Sequence, residues 1–276
     1  MAEQSHQTAT ALARRYGRLA PTGPMPWNAH LDLLLSHRSV RAYRDTPLPP
    51  GTLTALVAAA QSAATSSNLQ TWSVIAVTDA ARKSALARLA GGQKQIAGCP
   101  LFLVWLADLS RNARLGEADG VEMNALPYLE TFLVAAIDAA LAAQNAVVAA
   151  EGLGLSSVYI GAMRNQPEAV AALLELPPNT MAVFGMCVGY ADLERPAEVK
   201  PRLPQEAVLF HERYDASQEP ALRAAHDAEM EAFSVAQGME RQSWSARVLS
   251  RLGPVAAMGG RDGLGDALRR LGFGLR

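Results

Sequence analysis

The sequence predicts an α/β fold, a mixed sheet flanked by helices, on three observations. β-rich and helical segments alternate along the chain, LFLVWL at 101–106 is apolar without a break, and an Ala-rich stretch over about 123–152 is apolar nearly all round. A strand that is apolar at every position is buried on both faces and belongs in the middle of its sheet. A helix without a polar face is buried within a domain or between subunits, and a subunit interface is the favoured reading.

Taken in order, Ala29 to Ser36 (AHLDLLLS) reads as a short amphipathic helix ending at His37, which puts the run Arg38-Ser39-Val40-Arg41 at a helix end. Pro49-Pro50-Gly51 breaks the chain, and Thr52 is placed to cap a helix to about Ala64, because Leu53, Leu56, Val57 and Ala60 recur at helical spacing. The polar loop Thr65-Ser66-Ser67-Asn68 follows. WSVIAV at 72–77 is β-rich, 80–89 returns to the helical period, and Gly91-Gly92 stops it. Ser156 to Ile160 and Met181 to Val188 read as strands around a helix at about 167–174, which Pro177-Pro178 ends. After Tyr190 the apolar period weakens, Pro196, Pro201 and Pro204 mark an extended arm, and charged helical segments run to Arg276. The linear division is therefore a helical extension over 1–30, a core over 31–210 and a second helical extension over 211–276.

With 276 residues, half of them hydrophobic, a sizeable core is available. Charged residues make up 18% and the formal net charge is −1, so no global basic field exists to hold nucleic acid or an anionic membrane. Any anion site must be local. The two cysteines, Cys99 and Cys187, form no CxxC pair and read as buried small hydrophobes of a reduced, cytoplasmic protein. Residues 1–20 carry Arg14, Arg15 and Arg18 but no apolar segment of the secretory type. The apolar stretch Leu129 to Leu155 contains Glu130, Asp138, Gln144, Asn145 and Glu151, each costly at the centre of a bilayer. The five histidines show no HExxH spacing, so no metal site is expected. No dinucleotide fingerprint, P-loop or GxSxG elbow is present.

Several short segments have the chemistry to hold a planar phosphorylated ligand. His37-Arg38-Ser39-Val40-Arg41 offers two guanidinium groups, a hydroxyl and an imidazole, a set that can surround a phosphate, although a solvated basic helix end has the same composition. Thr65, Ser66 and Ser67 form a hydroxyl rim suited to a ribityl chain or to an ordinary loop. Gly91-Gly92-Gln93-Lys94 joins backbone freedom to a carboxamide that reads an N–H beside a C=O. Tyr159-Ile160-Gly161-Ala162 ends a strand in a small residue, which lets backbone approach a flat ring. Lys200-Pro201-Arg202 sets two cations on a stiffened arm.

In order, HRSVRAY, ATSSNLQ, GGQKQIA, SVYIGAMRN, VGY and KPRLP resemble the nitroreductase superfamily, and within it the oxygen-insensitive nitroreductase A and NADPH–flavin oxidoreductase group. The resemblance runs from about Leu31 to Leu209. It implies a domain-entwined homodimer with non-covalent FMN at the interface, reducing nitroaromatics, quinones or free flavins with NADPH or NADH by a two-electron ping-pong cycle. It also implies site residues. His37, Arg38 and Ser39 would hold the FMN phosphate and ribityl chain, Arg41 the pyrimidine edge, and Lys200 and Arg202 would complete the phosphate clamp. Ser66 and Ser67 would come from the partner subunit, Gln70 would also bind the cofactor, Gln93 would bond the ring, and Ile160 and Gly161 would supply backbone near flavin N5. FMN carries the chemistry, so no catalytic residue is named; Arg41 tunes the flavin by facing its developing negative charge.

Two departures stand out against the family pattern. The ATSSNLQ loop is one residue short, with Asn68 in place of an aromatic, and the distal basic segment that grips a 2′-phosphate retains only Arg241. Arg164 is a further candidate for nicotinamide cofactor binding. A flavin-sequestering protein without catalysis is the alternative: it would keep the Arg38, Ser39, Lys200 and Arg202 clamp and close the stacking face.

Overall fold

The computed structural model describes residues 2–276, with side chains from residue 7 onward. The chain forms two compact units, Met1–Arg38 with Glu198–Met258, and Ser39–Ala197 with Gly259–Arg276.

The second unit is built on four strands, β1 (Trp72–Val77), β2 (Leu101–Asp108), β3 (Ser156–Ile160) and β4 (Thr180–Gly189), in the order β1-β2-β4-β3 with every neighbouring pair antiparallel. The sheet is therefore antiparallel rather than mixed as expected, and the one parallel pairing is an isolated bridge between Ser39 and Ser157 outside its strands. β2 is buried at all eight positions and lies centrally, as its uninterrupted apolar run predicts. Its alternation divides the work: Phe102, Val104 and Leu106 join one core cluster, and Leu101, Leu103 and Trp105 join the other. Each such side chain contributes about 1.5–3 kcal/mol by leaving water.

Helices cover both faces. On the Phe102 side, α4 (Ala80–Leu89), α5 (Lys94–Gly98) and α8 (Pro167–Leu173) bring Leu86, Ile96 and Val170. Gly185 of β4 makes room there, since a Cβ on it would stand 2.2 Å from Phe102 Cζ. On the Trp105 side, α3 (Thr52–Gln61) and α7 (Leu129–Gly152) bring Leu56, Ala60, Ala142, Ala146 and Val147. By length and composition α7 is apolar enough to cross a membrane, yet it buries Asp138 along with an alanine face. The tail returns to this unit: α11 (Leu264–Arg270) and Phe273 pack with Leu109 and Met181, and Phe273 meets Phe132 edge-on at 5.1 Å.

Three further expectations change. Gly51 (φ 83°) takes the cap position of α3, while the Thr52 hydroxyl, inside the helix, donates to the Pro49 carbonyl at 2.7 Å, and the helix ends at Gln61. α7 starts at Leu129 rather than near Met123, because Pro127 disfavours helical backbone in the residue before it. α6 (Ser110–Asp119), unanticipated, begins where the Asp108 carboxylate accepts from the Ser110 N–H at 3.0 Å and from its hydroxyl at 2.6 Å.

The first unit contains α1 (Ala2–Tyr16), α2 (Ala29–Ser36), α9 (Glu219–Ala236) and α10 (Trp244–Leu252). Asn28 caps α2 by accepting from the Leu31 N–H at 3.0 Å, and Ser243 caps α10 from Ala246 N–H at the same distance. Glu229 of α9 is 8% exposed and pairs with Arg18 at 2.5 Å.

Candidate functional site

In the first unit, α2 ends as read from sequence: His37 leaves the helix at ψ 132° with its N–H on the Leu34 carbonyl. Arg38 follows, exposed, with Nη1 donating to the Ser36 carbonyl at 3.2 Å. On the proline arm Lys200 is half-buried and Arg202 exposed. These two cationic segments meet at Arg15 of α1, which is 7% exposed. Its Nη2 donates to the carbonyls of Leu35 at 2.7 Å and His37 at 2.6 Å, and its Nη1 to that of Lys200 at 3.3 Å. Its own carbonyl accepts from the Arg202 N–H at 2.8 Å.

In the second unit, the segment after Arg38 runs beside β3. The Val40 N–H donates to the Ser157 carbonyl at 3.0 Å and the Val40 side chain is buried, so strand alternation leaves Ser39 and Arg41 exposed. Tyr43 locks the segment to β4: its hydroxyl donates to the Val40 carbonyl at 2.7 Å and lies 3.4 Å from that of Cys187. Burial, reinforced by the neighbouring thiols, pushes the Tyr43 phenol far up, so it remains a donor. The Cys187 thiol donates to the Gln95 carbonyl at 3.4 Å, and the Gln95 carboxamide donates to Gln93 Oε1 at 2.5 Å. Gln93 caps α5 after Gly91 (φ 72°) and Gly92 (φ 80°), whose left-handed backbone swings the chain around. A Cβ on Gly91 would stand 3.6 Å from the Asn165 amide, so this turn lies beside the turn after β3. That turn begins at buried Ile160 and half-buried Gly161. Ser39, Arg41, Gln93, Ile160 and Gly161 are thus linked through β3 and β4.

Arg164 turns inward, Nη1 donating to the Val183 carbonyl of β4, and its guanidinium would lie 3.3 Å from a Cβ on Gly161. Arg241, in the first unit, is ion-paired to Glu231 at 2.6 Å. Each has protein partners in these positions.

The hydroxyl loop is held by α7. Asp138, 2% exposed, accepts at Oδ2 from the Thr65 hydroxyl (2.8 Å), the Thr71 hydroxyl (2.9 Å) and the Thr71 N–H (3.3 Å), and at Oδ1 from the Ser66 N–H (3.1 Å). Thr65 therefore faces inward, and Ser66, Ser67 and Gln70 are exposed. The loop adopts left-handed backbone at Ser67 (φ 47°), Asn68 (φ 55°) and Gln70 (φ 51°), costly at non-glycine residues and maintained here by the carboxylate and by Arg111, which donates to the Gln70 carbonyl at 2.9 Å.

Sequence reasoning passed over Asp138, Tyr43 and Arg15. Asp138 had a signal: it lies three and four residues from Ala135 and Ala142, on the face the alanines bury, where a lone carboxylate needs donors. Tyr43 and Arg15 had none, because their partners are backbone carbonyls, which leave no residue type to read.

Residues 34–190 match the nitroreductase family, and residues 200–276 match the nitroreductase family, C-terminal domain. The oxygen-insensitive NADPH nitroreductase of Salmonella typhimurium is 38% identical over 221 residues, 79% of this chain and 88% of that protein. The FMN reductase (NADPH) of Bacillus subtilis is 40% identical over 192 residues, 68% of this chain and 75% of that protein. The solved structure of the hypothetical oxidoreductase YcnD from Bacillus subtilis superposes with a TM-score of 0.85 at 35% identity, covering 91% of this chain and all of that one.

Proposed function

This chain belongs to the nitroreductase family, and from that premise we propose that it is a homodimeric, cytoplasmic FMN enzyme that draws hydride from NADPH or NADH and reduces nitroaromatics, quinones or free flavins. Its relatives' names join NADPH to a nitro acceptor in one case and to FMN in the other. An open stacking face that selects planar, electron-poor molecules accommodates both.

The donor set fits FMN. In the first unit Arg38, Lys200 and Arg202 provide the charge a phosphate dianion needs, and the His37 imidazole adds a hydrogen-bonding group. In the second, Ser39 suits the ribityl chain, the Gln93 carboxamide suits the donor–acceptor edge of the ring, and Ile160 with the backbone of Gly161 suits the region of N5. When bound, FMN supplies the two-electron chemistry that carries hydride from nicotinamide to acceptor. Arg41, exposed on its strand-like segment, would stabilise negative charge at the pyrimidine edge, and the main chain of Ile160 and Gly161 would lie near N5. No side-chain acid is needed for the hydride step. Ser66, Ser67 and Gln70 would complete the site of a second copy, for which their rigid, outward-facing loop is prepared.

Dimerisation is supported by α7, whose Leu133, Ile137 and Leu141 recur every four residues and are 45%, 55% and 43% exposed in the single chain. A second copy covering that stripe completes the burial its composition calls for. Arg241 is ion-paired to Glu231, a partner that a 2′-phosphate would have to displace, and no second arginine stands in that segment, so NADPH and NADH are both retained as donors; Arg164 orders the turn under Gly161 and acts on cofactor binding through it.

The single observation that carries the reading is the match of residues 34–190 and 200–276 to the nitroreductase family and its C-terminal domain. Purified protein with added FMN should be yellow and should bleach anaerobically on addition of NADPH or NADH. FMN bound but unreduced by either cofactor would indicate sequestration instead, and no FMN binding would end the proposal.

A further inference from the structure

We infer that Arg15, in the N-terminal helix, is a positioning residue for the phosphate end of the FMN site, an inference that rests on the FMN reading above. Arg15 lies outside both stretches that match the family, yet it bonds both of the segments that carry the phosphate-binding cations. The last carbonyls of a helix lack partners inside it, and a chain that turns away at ψ 132° leaves them to find donors elsewhere. At the end of α2 the donor is the Arg15 guanidinium, on the Leu35 and His37 carbonyls. The same planar fork reaches the Lys200 carbonyl, and the Arg15 carbonyl holds the Arg202 N–H.

The arrangement fixes main chain next to His37 and to all three cations, Arg38, Lys200 and Arg202. The carbonyl of His37 is the one that joins it to Arg38, and the carbonyl of Lys200 and the N–H of Arg202 flank Pro201, which has a fixed φ of its own. Arg38, Lys200 and Arg202 therefore project from anchored backbone, and the loss of conformational freedom that phosphate binding would otherwise require is met in the folded protein beforehand. A lysine has the charge but lacks the fork: it has one nitrogen for carbonyls that occupy two arms of the guanidinium. Arg15 itself is 7% exposed and aimed at carbonyls, so it acts through its neighbours and does not touch the phosphate.

The test uses the full chain, freed of flavin, with FMN and riboflavin as paired probes, because the two differ only in the phosphate. Binding is measured by quenching of flavin fluorescence for wild type, Arg15→Met and Arg15→Lys. Wild type should prefer FMN over riboflavin; in Arg15→Met that preference should shrink by roughly tenfold, the value of one charge-assisted contact, with riboflavin affinity within about twofold of wild type. Arg15→Lys should keep an intermediate preference, and it carries the test should Arg15→Met fail to fold. Equal loss for both flavins in the folded variants, or no loss, overturns the inference while leaving the FMN reading intact. Failure of wild type to prefer FMN over riboflavin overturns both.

Discussion

Replacing Asp138 with Asn should release the 65–71 loop while leaving the sheet folded. Three donors converge on Oδ2, from Thr65 and Thr71, and one on Oδ1, from Ser66. An asparagine can turn its single carbonyl toward the three, but its NH2 group then faces the Ser66 N–H, so one bond is lost and the other three lose the help of a charge. A hydrogen bond to a charged group contributes about 1.5–3 kcal/mol against about 1 for a neutral one, and the lower cost of burying a neutral side chain offsets part of the difference, leaving about 2–3 kcal/mol. Three left-handed residues in the loop favour relaxation, so the loss should appear as local opening. Amide hydrogen exchange should read it as a roughly 30- to 150-fold acceleration for Ser66 to Thr71, at 1.36 kcal/mol per tenfold, with the β2 amides before Asp108, which bonds to the Thr71 carbonyl, unchanged. Ser67→Gly, which removes the strain at φ 47°, should recover about 1 kcal/mol of it in the double variant. Exchange in the loop that stays within about threefold of wild type, or that rises equally in β2, would refute this account of what Asp138 does.

Arg41→Ala should lower the rate of FMN reduction more than FMN affinity, because its charge faces the ring edge; stopped-flow reduction beside equilibrium titration tests the split, and equal losses would contradict it. Ile137→Glu places a charge in the exposed apolar stripe of α7 and should convert the dimer to monomer in size-exclusion chromatography with light scattering; an unchanged dimer would place the interface elsewhere. Burial pushes the Asp108 carboxyl up, but bonds from Ser110, Ser73 and Thr180 more than compensate and hold it below its ordinary value. Because the folded state then binds its proton less readily than the unfolded one, this carboxylate stabilises the protein above about pH 4, and the contribution is lost as pH falls through the lowered value. Urea unfolding from pH 7 to 3 should therefore be less pH-dependent at the acid end in Ser110→Ala than in wild type, and an unaltered profile would exclude Asp108 as a source of acid sensitivity.

Legibility in the sequence followed the range of the interactions. β2 announced its central place because every position is apolar, and α2, α4 and the strands announced themselves by local period and by breakers next to them. The sequence places the start of α7 too early because Met123, Ala125 and Leu126 keep the segment apolar up to Pro127, and composition has no sharp edge. Of the candidate site, residue types were legible and orientation was not. Arg241 looks like a spare cation until Glu231, ten residues away, is seen against it. Thr65 looks like a third rim hydroxyl until Asp138, 73 residues away, turns it inward. The exposed pair Ser39 and Arg41 depends on Val40 docking to Ser157, a register that nothing local encodes.

Neither compact unit is a continuous stretch of chain, and this has a consequence for biosynthesis. During synthesis domains generally fold as their segments emerge, from the N-terminus onward at about 5–20 residues per second. α1 emerges ahead of its partners: the Lys200 carbonyl that Arg15 holds lies 185 residues downstream, and the Glu229 that Arg18 pairs with lies 211 downstream. The helix therefore waits roughly 10–40 s for its partners at those rates. In that interval the intervening segment 39–197 can form its sheet, and the first unit closes only after α9 has left the ribosome.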